Sequence, residues 1–267
     1  MAESRAAWIF APNAYPLTEV GPGVTQFTKG RRVLVFISVL DDTLIDHWLS
    51  NRHGSFPVTK NPARPTSQLF STLSEVLVTE IPDSLSFAQA AALPLALSTA
   101  CSGLYHPDYL SLPLPSATDA TPTGLSILIR GGASSVGTAA IQLVVASGLT
   151  VFNTASPPNH DFVKSLGDHV VLDYRSAAVS GDIASMLSAD DRFIEVYGAI
   201  AEESGFTAMR SILYRLGVAV HVASVLPYGG QRTGRFSFGF GKIGSINEPI
   251  IVSRLLKFLY FSYGIFN

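Results

Sequence analysis

Cysteine is almost absent from this chain of 267 residues, in which Cys101 is the single one. One thiol cannot form a disulfide within the chain, and it cannot complete a zinc site that needs two or more thiolates. Cys101 stands in a run of small and apolar residues, 90–104, and free cysteine is among the most buried residue types. We therefore predict no disulfide within the chain, no metal site, and a buried Cys101.

Charged side chains are also scarce. They make up 14% of the residues, against 47% hydrophobic ones, and the net charge is −2. No block of lysine and arginine stands out, so the sequence predicts no nucleic-acid partner. A chain this apolar is typical of a buried parallel sheet, or of a surface that another chain covers.

No segment has the pattern of a secretory signal or of a membrane span. The first residues, MAESRAAWIFAP, carry an acid early and no long apolar run, which argues against a secretory signal. The most apolar stretch, residues 250–266, is short for a span and contains Arg254 and Lys257, so it is predicted to be an amphipathic helix. We expect a cytoplasmic protein without a membrane partner.

Residues 1–80 are predicted to be irregular and rich in turns. Strands are predicted at 32–39 and 75–79, with a proline-containing loop at 54–68 between them. Ser86 is predicted to cap a helix that Pro94 interrupts, and a second helix then covers about 98–105. Residues 106–124 are predicted to be a loop.

From residue 126 onward, strand-like apolar segments alternate with segments of helical periodicity. This alternation predicts an α/β fold, a doubly wound parallel sheet with right-handed crossovers. The glycine-rich residues 227–244 are predicted to form a loop, with a short edge strand as the alternative. The predicted strands cover 126–130, 149–154, 169–173, 193–197 and 217–224, and the helices cover 136–147, 160–166, 182–188 and 203–215.

The most specific signal is a turn of small residues between the first of these strands and its helix, GGASSVG at 131–137. Small residues let the backbone approach a dinucleotide pyrophosphate, and a helix N-terminus offers free N–H groups to it. The glycines depart from G-x-G-x-x-G, because Gly131 and Gly137 are six apart and Ser134 holds the central place. A turn that binds no ligand stays open as the alternative.

The second predicted strand indicates which dinucleotide. An NAD site would have an acid at the end of this strand, but none occurs between Thr154 and Asp161. Ser156 and Lys164 suit a 2′-phosphate better, since they donate hydrogen bonds to it and do not repel it. NADP(H) is therefore favoured over NAD(H), although Lys164 on an ordinary solvated helix face stays open.

Several segments together resemble the medium-chain dehydrogenase/reductase superfamily. They match its zinc-free quinone-oxidoreductase and enoyl-reductase branch, which includes trans-acting enoyl reductases of fungal polyketide pathways. The resemblance extends over nearly all of residues 5–260. The segments that carry it are VGPGVTQFTKGRRV at 20–33, IPDSLSFAQAAALP at 81–94, the turn at 131–137, TASP at 154–157 with KSLG at 164–167, and LDY at 172–174.

The resemblance implies a GroES-like β-rich catalytic domain at 1–95, an NADP-binding Rossmann domain at 96–226, and a glycine-rich loop with a C-terminal helix at 227–267. It implies an enzyme that transfers hydride from NADPH to an α,β-unsaturated carbonyl or a quinone in a cleft between the domains. A homodimer joined at a Rossmann sheet edge is also implied. The implied cofactor-binding residues are Thr99, Gly131, Ser134, Ser135, Val136, Gly137, Ser156, Lys164, Tyr174, Ala199 and Val225.

The chain also departs from the family pattern. After Leu17 it passes almost directly to the turn at 20–24, without the family's Asn-Pro-x-Asp segment, and Gly198 stands where the family usually has aspartate. It ends within the helix that follows the glycine-rich loop. These departures predict a truncated, poorly soluble protein in which residues 1–80 are the least protected. The alternative function is an inactive paralogue that binds only dinucleotide or a partner chain.

No residue is assigned to catalysis from the sequence. The candidate histidines lack a carboxylate at an informative spacing, so a structural or surface role is expected for each of them. The residues considered are His47, His53, Tyr105 and His106.

Overall fold

The computed structural model describes the parts of the chain that carry the predicted turn and sheet. It divides between Ser98 and Thr99 into two compact units. The predicted loop at 54–68, His47, His53 and the segment 250–266 lie outside the described residues. The described residues are 14–35, 78–106, 109–116, 120–167, 169–188, 192–200, 202–217, 220–225 and 236–238.

The first unit contains a three-stranded antiparallel sheet. Strands β1 (Ala14–Pro16), β2 (Arg32–Val35) and β3 (Val78–Glu80) lie in the order β1-β2-β3. Val33 and Val78 are buried between these strands, with Leu17 and Phe27 packed against them. The predicted strands at 32–39 and 75–79 are thus confirmed where the structure describes them.

A short helix, α1 (Phe87–Ala91), follows this sheet and begins as predicted. Ser86 and Gln89 form a capping box, in which each side chain accepts a hydrogen bond from the backbone N–H of the other residue. The guanidinium of Arg32 donates to the backbone oxygens of Pro82 and Leu85, and it lies 4.6 Å from the ring centroid of Phe87. Arg32 therefore ties β2 to the start of α1.

The first helix ends at Ala91, before Pro94, as predicted, but helix α2 (Leu93–Tyr105) begins at Leu93 rather than at about residue 98. Pro94 occupies the first turn of α2, where a helix leaves backbone N–H groups without partners, so the missing proline N–H costs nothing. The stretch Phe87–Tyr105 is long and apolar enough to cross a membrane by length and composition alone, but half of its most apolar window is buried in the protein. Core helices of soluble proteins share this property.

The second unit is built on a six-stranded parallel sheet in the order β6-β5-β4-β7-β8-β9. This is the 3-2-1-4-5-6 order of a doubly wound dinucleotide-binding fold, which confirms the predicted fold class. The strands are β4 (Ser126–Arg130), β5 (Thr150–Ala155), β6 (His169–Asp173), β7 (Phe193–Gly198), β8 (His221–Ser224) and β9 (Phe236–Phe238). The helices are α3 (Ser135–Ala146), α4 (His160–Lys164), α5 (Val179–Ser188) and α6 (Glu203–Leu216).

The largest differences from the predicted boundaries are at β8 and α5, and the other elements of this unit agree within two residues. Gly217 has a left-handed backbone, with φ of 62°, and caps α6, so β8 begins at His221 rather than at residue 217. Helix α5 begins at Val179, three residues earlier than predicted. Within 227–244 the short strand left open as the alternative is present, as β9.

The sheet is covered differently on its two faces. Leu128, Phe152, Val196 and Val222 point to one face, where they pack against buried residues of α5 and α6. The alternate residues, such as Asn153, point to the other face, where Ile141 of α3 lies. Cys101 is buried, as predicted.

Candidate dinucleotide site

The turn between β4 and α3 is closed by hydrogen bonds of Ser134. Its hydroxyl donates to the carbonyl oxygen of Gly131 at 2.8 Å and accepts from the N–H of Gly137 at 3.0 Å, so Ser134 is the N-cap of α3. The backbone N–H groups of Ser135 and Val136 make no hydrogen bond within the described part of the chain. These two donors point from a helix N-terminus and suit an anion.

The glycines of this turn are required by close backbone approaches. A Cβ on Gly137 would lie 2.1 Å from the carbonyl oxygen of Gly131, and a Cβ on Gly132 would lie 2.7 Å from Oδ1 of Asn153. Gly131 has a φ of 82°, which side chains rarely adopt. The turn therefore has the small-residue cradle that a pyrophosphate needs, and its backbone conformation is fixed by packing.

The turn lies where the strand order reverses. Strand β4 pairs with β5 on one side and with β7 on the other, and the crossovers lead to helices on opposite faces. Ala199 and Val225 follow the carboxyl ends of β7 and β8. The N–H of Ala199 donates a hydrogen bond to the carbonyl oxygen of Arg130, and the N–H of Val225 donates one to the carbonyl oxygen of Gly198. Ligands of doubly wound sheets bind at this reversal, so the predicted residues lie at the expected edge.

Two of the residues predicted to read a 2′-phosphate, Ser156 and Tyr174, directly follow strand ends. The register pairs Ala155 with Asp173, so the carboxyl ends of β5 and β6 are adjacent. The Ser156 hydroxyl accepts a hydrogen bond from the side-chain amide of Asn159, and Lys164 is exposed at the end of α4. Contacts that would join Ser156 to Lys164 are absent from the described residues, so the predicted grouping of the two stays a prediction.

Thr99 is buried in α2 rather than presented to solvent. Its carbonyl oxygen accepts a hydrogen bond from the hydroxyl of Tyr197 at 3.3 Å. Burial raises the pKa of Tyr197, so this hydroxyl is neutral. The Tyr197 ring fits against α2 because Gly103 carries no side chain: a Cβ there would lie 2.4 Å from Cε2 of the ring.

A cavity of about 280 Å³ opens on the α5 and α6 face of the sheet at the same carboxyl edge. Tyr174, predicted from the family resemblance, is part of its wall and is 44% exposed. Arg130 and Arg175 were not among the predicted site residues, although Arg130 directly precedes the turn at 131–137 and Arg175 directly follows the segment 172–174. The lining residues are Leu128, Arg130, Thr154, Tyr174, Arg175, Val179, Ile183, Ser204, Ala208 and Ile212.

Arg130 is the most unusual of these residues. It ends β4, and its Nη1 atom is buried without a hydrogen-bond partner among the described residues. Burial lowers the pKa of Arg130, and the nearby Glu202 and Tyr174 partly oppose that shift. A signal for it existed in the sequence, because a cation at the last position of an otherwise apolar strand is uncommon.

The described residues supply no catalytic group at the turn. Three or more potential metal ligands never cluster in the part of the chain that the structure describes. The Tyr105 hydroxyl lies 3.0 Å from the carbonyl oxygen of Leu143 and from the hydroxyl of Ser147, and burial raises its pKa. Tyr105 therefore stabilises the packing of α2 on α3.

Curated fungal proteins are similar to this chain, although no family model matches it. Trans-enoyl reductase himH of Aspergillus japonicus is 43% identical over 183 residues, which are 68% of this chain and 48% of that protein. Zinc-binding alcohol dehydrogenase domain-containing protein cipB of Emericella nidulans is 32% identical over 195 residues, 69% of this chain and 47% of that protein. The chain spans about half the length of the curated relatives that it matches.

Solved structures share the fold at lower identity. CurK enoyl reductase has a TM-score of 0.64 and 21% identity, and the match covers 92% of this chain and 66% of CurK. The Escherichia coli quinone oxidoreductase, solved with NADPH, has a TM-score of 0.59 and 17% identity, with 94% of this chain and 69% of that chain covered. At this identity the likeness concerns the fold.

Proposed function

The chain belongs to the medium-chain dehydrogenase/reductase superfamily, with the fungal trans-enoyl reductases among its relatives, and we propose that it is an NADPH-dependent oxidoreductase. It would reduce an α,β-unsaturated carbonyl compound or a quinone. Among its curated relatives are reductases and dehydrogenases of fungi, and this supports a role in fungal secondary metabolism. The cytoplasm is the proposed location.

One observation carries the proposal: the capped glycine turn at the reversal of the strand order. The N–H groups of Ser135 and Val136 would hold the pyrophosphate, and Ser134 fixes the first turn of α3 around it. Gly131 and Gly137 keep the space over the turn free of side chains. The residues present therefore fit a dinucleotide.

The 2′-phosphate of NADPH fits the carboxyl edge of β5 better than a free ribose hydroxyl pair does. No acid follows β5 before Asp161 in α4, so the hydrogen-bond acceptor that NAD sites use for the ribose is missing. Ser156 and Tyr174 directly follow β5 and β6, and Lys164 ends α4; the phosphate would be bound by these three residues. When bound, the reduced nicotinamide supplies the hydride; the chain's residues orient the dinucleotide.

A homodimer is part of the proposal. In the described residues β6 and β9 are the terminal strands of the parallel sheet, and an open edge offers unpaired N–H and C=O groups to a second copy. A molar mass of two chains, measured by light scattering, would support the homodimer, whereas the mass of one chain would contradict it.

Titration calorimetry with NADPH and NADH tests the cofactor, and a nicotinamide absorbance assay with enones, quinones and enoyl thioesters tests turnover. NADPH is expected to bind more tightly than NADH. Lys164→Ala and Ser156→Ala are each expected to weaken NADPH about tenfold and to spare NADH, because a charge-assisted hydrogen bond contributes about 1.5–3 kcal/mol. Equal losses for both cofactors would remove these residues from phosphate recognition.

Ser135→Glu tests the turn itself. The substitution places a carboxylate at the N-terminus of α3, and this carboxylate would repel a pyrophosphate. The affinity of the protein for both NADPH and NADH should therefore be lost. Ser185→Glu, on the exposed side of α5, is the matched control and should bind normally. Binding retained by Ser135→Glu would place the ligand elsewhere, and binding without turnover of any substrate would favour a dinucleotide-binding paralogue.

A further inference from the structure

The cavity on the α5 and α6 face has a composition that selects among ligands. Its floor is apolar and includes Leu128, Val179 and Ile183. Its polar lining consists of two arginines, Arg130 and Arg175, and three hydroxyl groups, and no carboxylate is among the described lining residues. A ligand that complements it has an apolar body and an anionic group with several hydrogen-bond acceptors.

Arg130 lies in this wall, against the first turn of α6. It lies two residues after Leu128 on β4, so its side chain leaves the sheet on the α5 and α6 face. Its guanidinium packs against the first turn of α6, where a Cβ on Gly205 would lie only 1.2 Å from Nη1. The absence of a side chain at Gly205 therefore leaves the space that the guanidinium occupies.

The charge of Arg130 has no ion-pair partner among the residues that the structure describes. No carboxylate lies within salt-bridge distance of it among the described residues, and Nη1 has no acceptor. Glu202 acts on it only through a longer-range attraction. A guanidinium that is half desolvated and has no counter-charge favours an anion that arrives with the ligand.

The cavity is placed where the adenosine end of a dinucleotide would reach. Thr154 lies in its wall. The hydroxyl oxygen of Thr154 accepts a hydrogen bond from the N–H of Gly131, and its carbonyl oxygen accepts one from the N–H of Gly132. The cavity therefore directly adjoins the turn at 131–137. Tyr174 follows β6 and presents an aromatic ring at the rim, with the guanidinium of Arg175 at 5.4 Å from the ring centroid.

We propose that this cavity binds the adenosine 2′-phosphate end of the cofactor and that Arg130, with Arg175, supplies the positive charge that selects the phosphate. The proposal rests on the proposed function. It assigns cofactor selectivity to the end of β4, in addition to the lysine on α4 that the sequence indicated. A guanidinium can donate two parallel hydrogen bonds to one phosphate, which lysine cannot do.

Two fragments isolate the 2′-phosphate: adenosine 2′,5′-bisphosphate and adenosine 5′-monophosphate. Calorimetry on the full chain compares their affinities in wild type, Arg130→Gln, Gly205→Ala and Gly181→Ala. Gly205→Ala keeps the charge of Arg130 but forces its guanidinium to move. Because the clash is with the far end of a flexible side chain, the fold should tolerate the substitution. Gly181→Ala, on α5 with open space around it, is the matched control.

Arg130→Gln is expected to weaken the bisphosphate about tenfold and to leave the monophosphate within about twofold. Gly205→Ala should weaken the bisphosphate in the same selective way, and Gly181→Ala should change neither fragment. Thermal melting checks that each variant is folded.

Equal affinity of wild type and Arg130→Gln for the bisphosphate would overturn the inference, and so would an equal loss for both fragments. The proposed function would survive either result, provided that NADPH still binds and is oxidised with substrate. A wild-type protein that binds neither fragment nor NADPH would overturn both.

Discussion

Glu195 brings a carboxyl group into the sheet at the start of β7, where it is only 9% exposed. One carboxyl oxygen lies 3.1 Å from Nδ1 of His221 on β8, and the other is buried without a hydrogen-bond partner among the described residues. Burial raises the pKa of Glu195, and the hydrogen bond from His221 only partly opposes this. The ionised form is therefore less favourable in the folded protein than in the unfolded one.

This shift predicts how stability depends on pH. Because the folded-state pKa is raised, the protonated carboxyl favours folding below its usual pKa of about 4.5, and that contribution is lost as the pH rises through the folded value. Glu195→Gln should therefore raise the melting temperature by roughly 2–4 °C at neutral pH, on the order of 1 kcal/mol, and change it little at about pH 4. Differential scanning calorimetry at both pH values measures this; equal effects at both would contradict the ionisation argument.

At the scale of elements, the packing of α3 on the end of β4 depends on a glycine at position 137. A Cβ there would lie 2.1 Å from the carbonyl oxygen of Gly131, a backbone atom that cannot move aside alone. The turn conformation would have to change, and the cap of Ser134 on α3 would change with it.

Gly137→Ala is therefore expected to destabilise the protein by roughly 1–3 kcal/mol, the usual range for overpacking, and to abolish dinucleotide binding. Gly181→Ala, on α5 where a Cβ meets no atom within 4 Å, should instead stabilise by about 0.5–1 kcal/mol. Urea unfolding and calorimetric titration of both variants give the two quantities. A neutral Gly137→Ala would mean that the turn tolerates a different backbone path.

At the scale of the whole molecule, the two compact units bury their sheets to different degrees. In the parallel sheet, β4 lies between β5 and β7, and both faces are covered by helices, so Ile127, Leu128 and Ile129 are almost fully buried. The first unit, in the described residues, contains strands of three or four residues around a small cluster of buried side chains.

Hydrogen exchange should follow this difference. Backbone amides at 127–130, 150–154 and 194–197 are expected to exchange most slowly, because their strands open only with the whole sheet. Those at 32–35 and 78–80 should exchange faster, since fewer buried contacts oppose local opening. Mass spectrometry with peptide resolution measures both sets. Equal protection of the two sets would show that the first unit is as stable as the parallel sheet.

The sequence by itself determined the order of strands and helices from residue 126 onward and the turn of small residues at 131–137, because both depend on short-range patterns. Apolar periodicity, small residues and capping side chains act within about ten residues, which is why β4 and β6 match their predicted bounds. The start of helix α2 was predicted less well, because proline breaks the interior of a helix but is tolerated in its first turn. The sequence pattern did not show which of the two positions Pro94 occupies.

Only the tertiary structure decided what surrounds Arg130. The cavity joins the ends of β4 and β5, the residues after β6, and helices α5 and α6, which are up to about 80 residues apart in the chain. The close approach of Gly205 to the guanidinium depends on how α6 packs across the sheet. A pattern along the sequence carries no information about such contacts, because they form only when distant elements pack together.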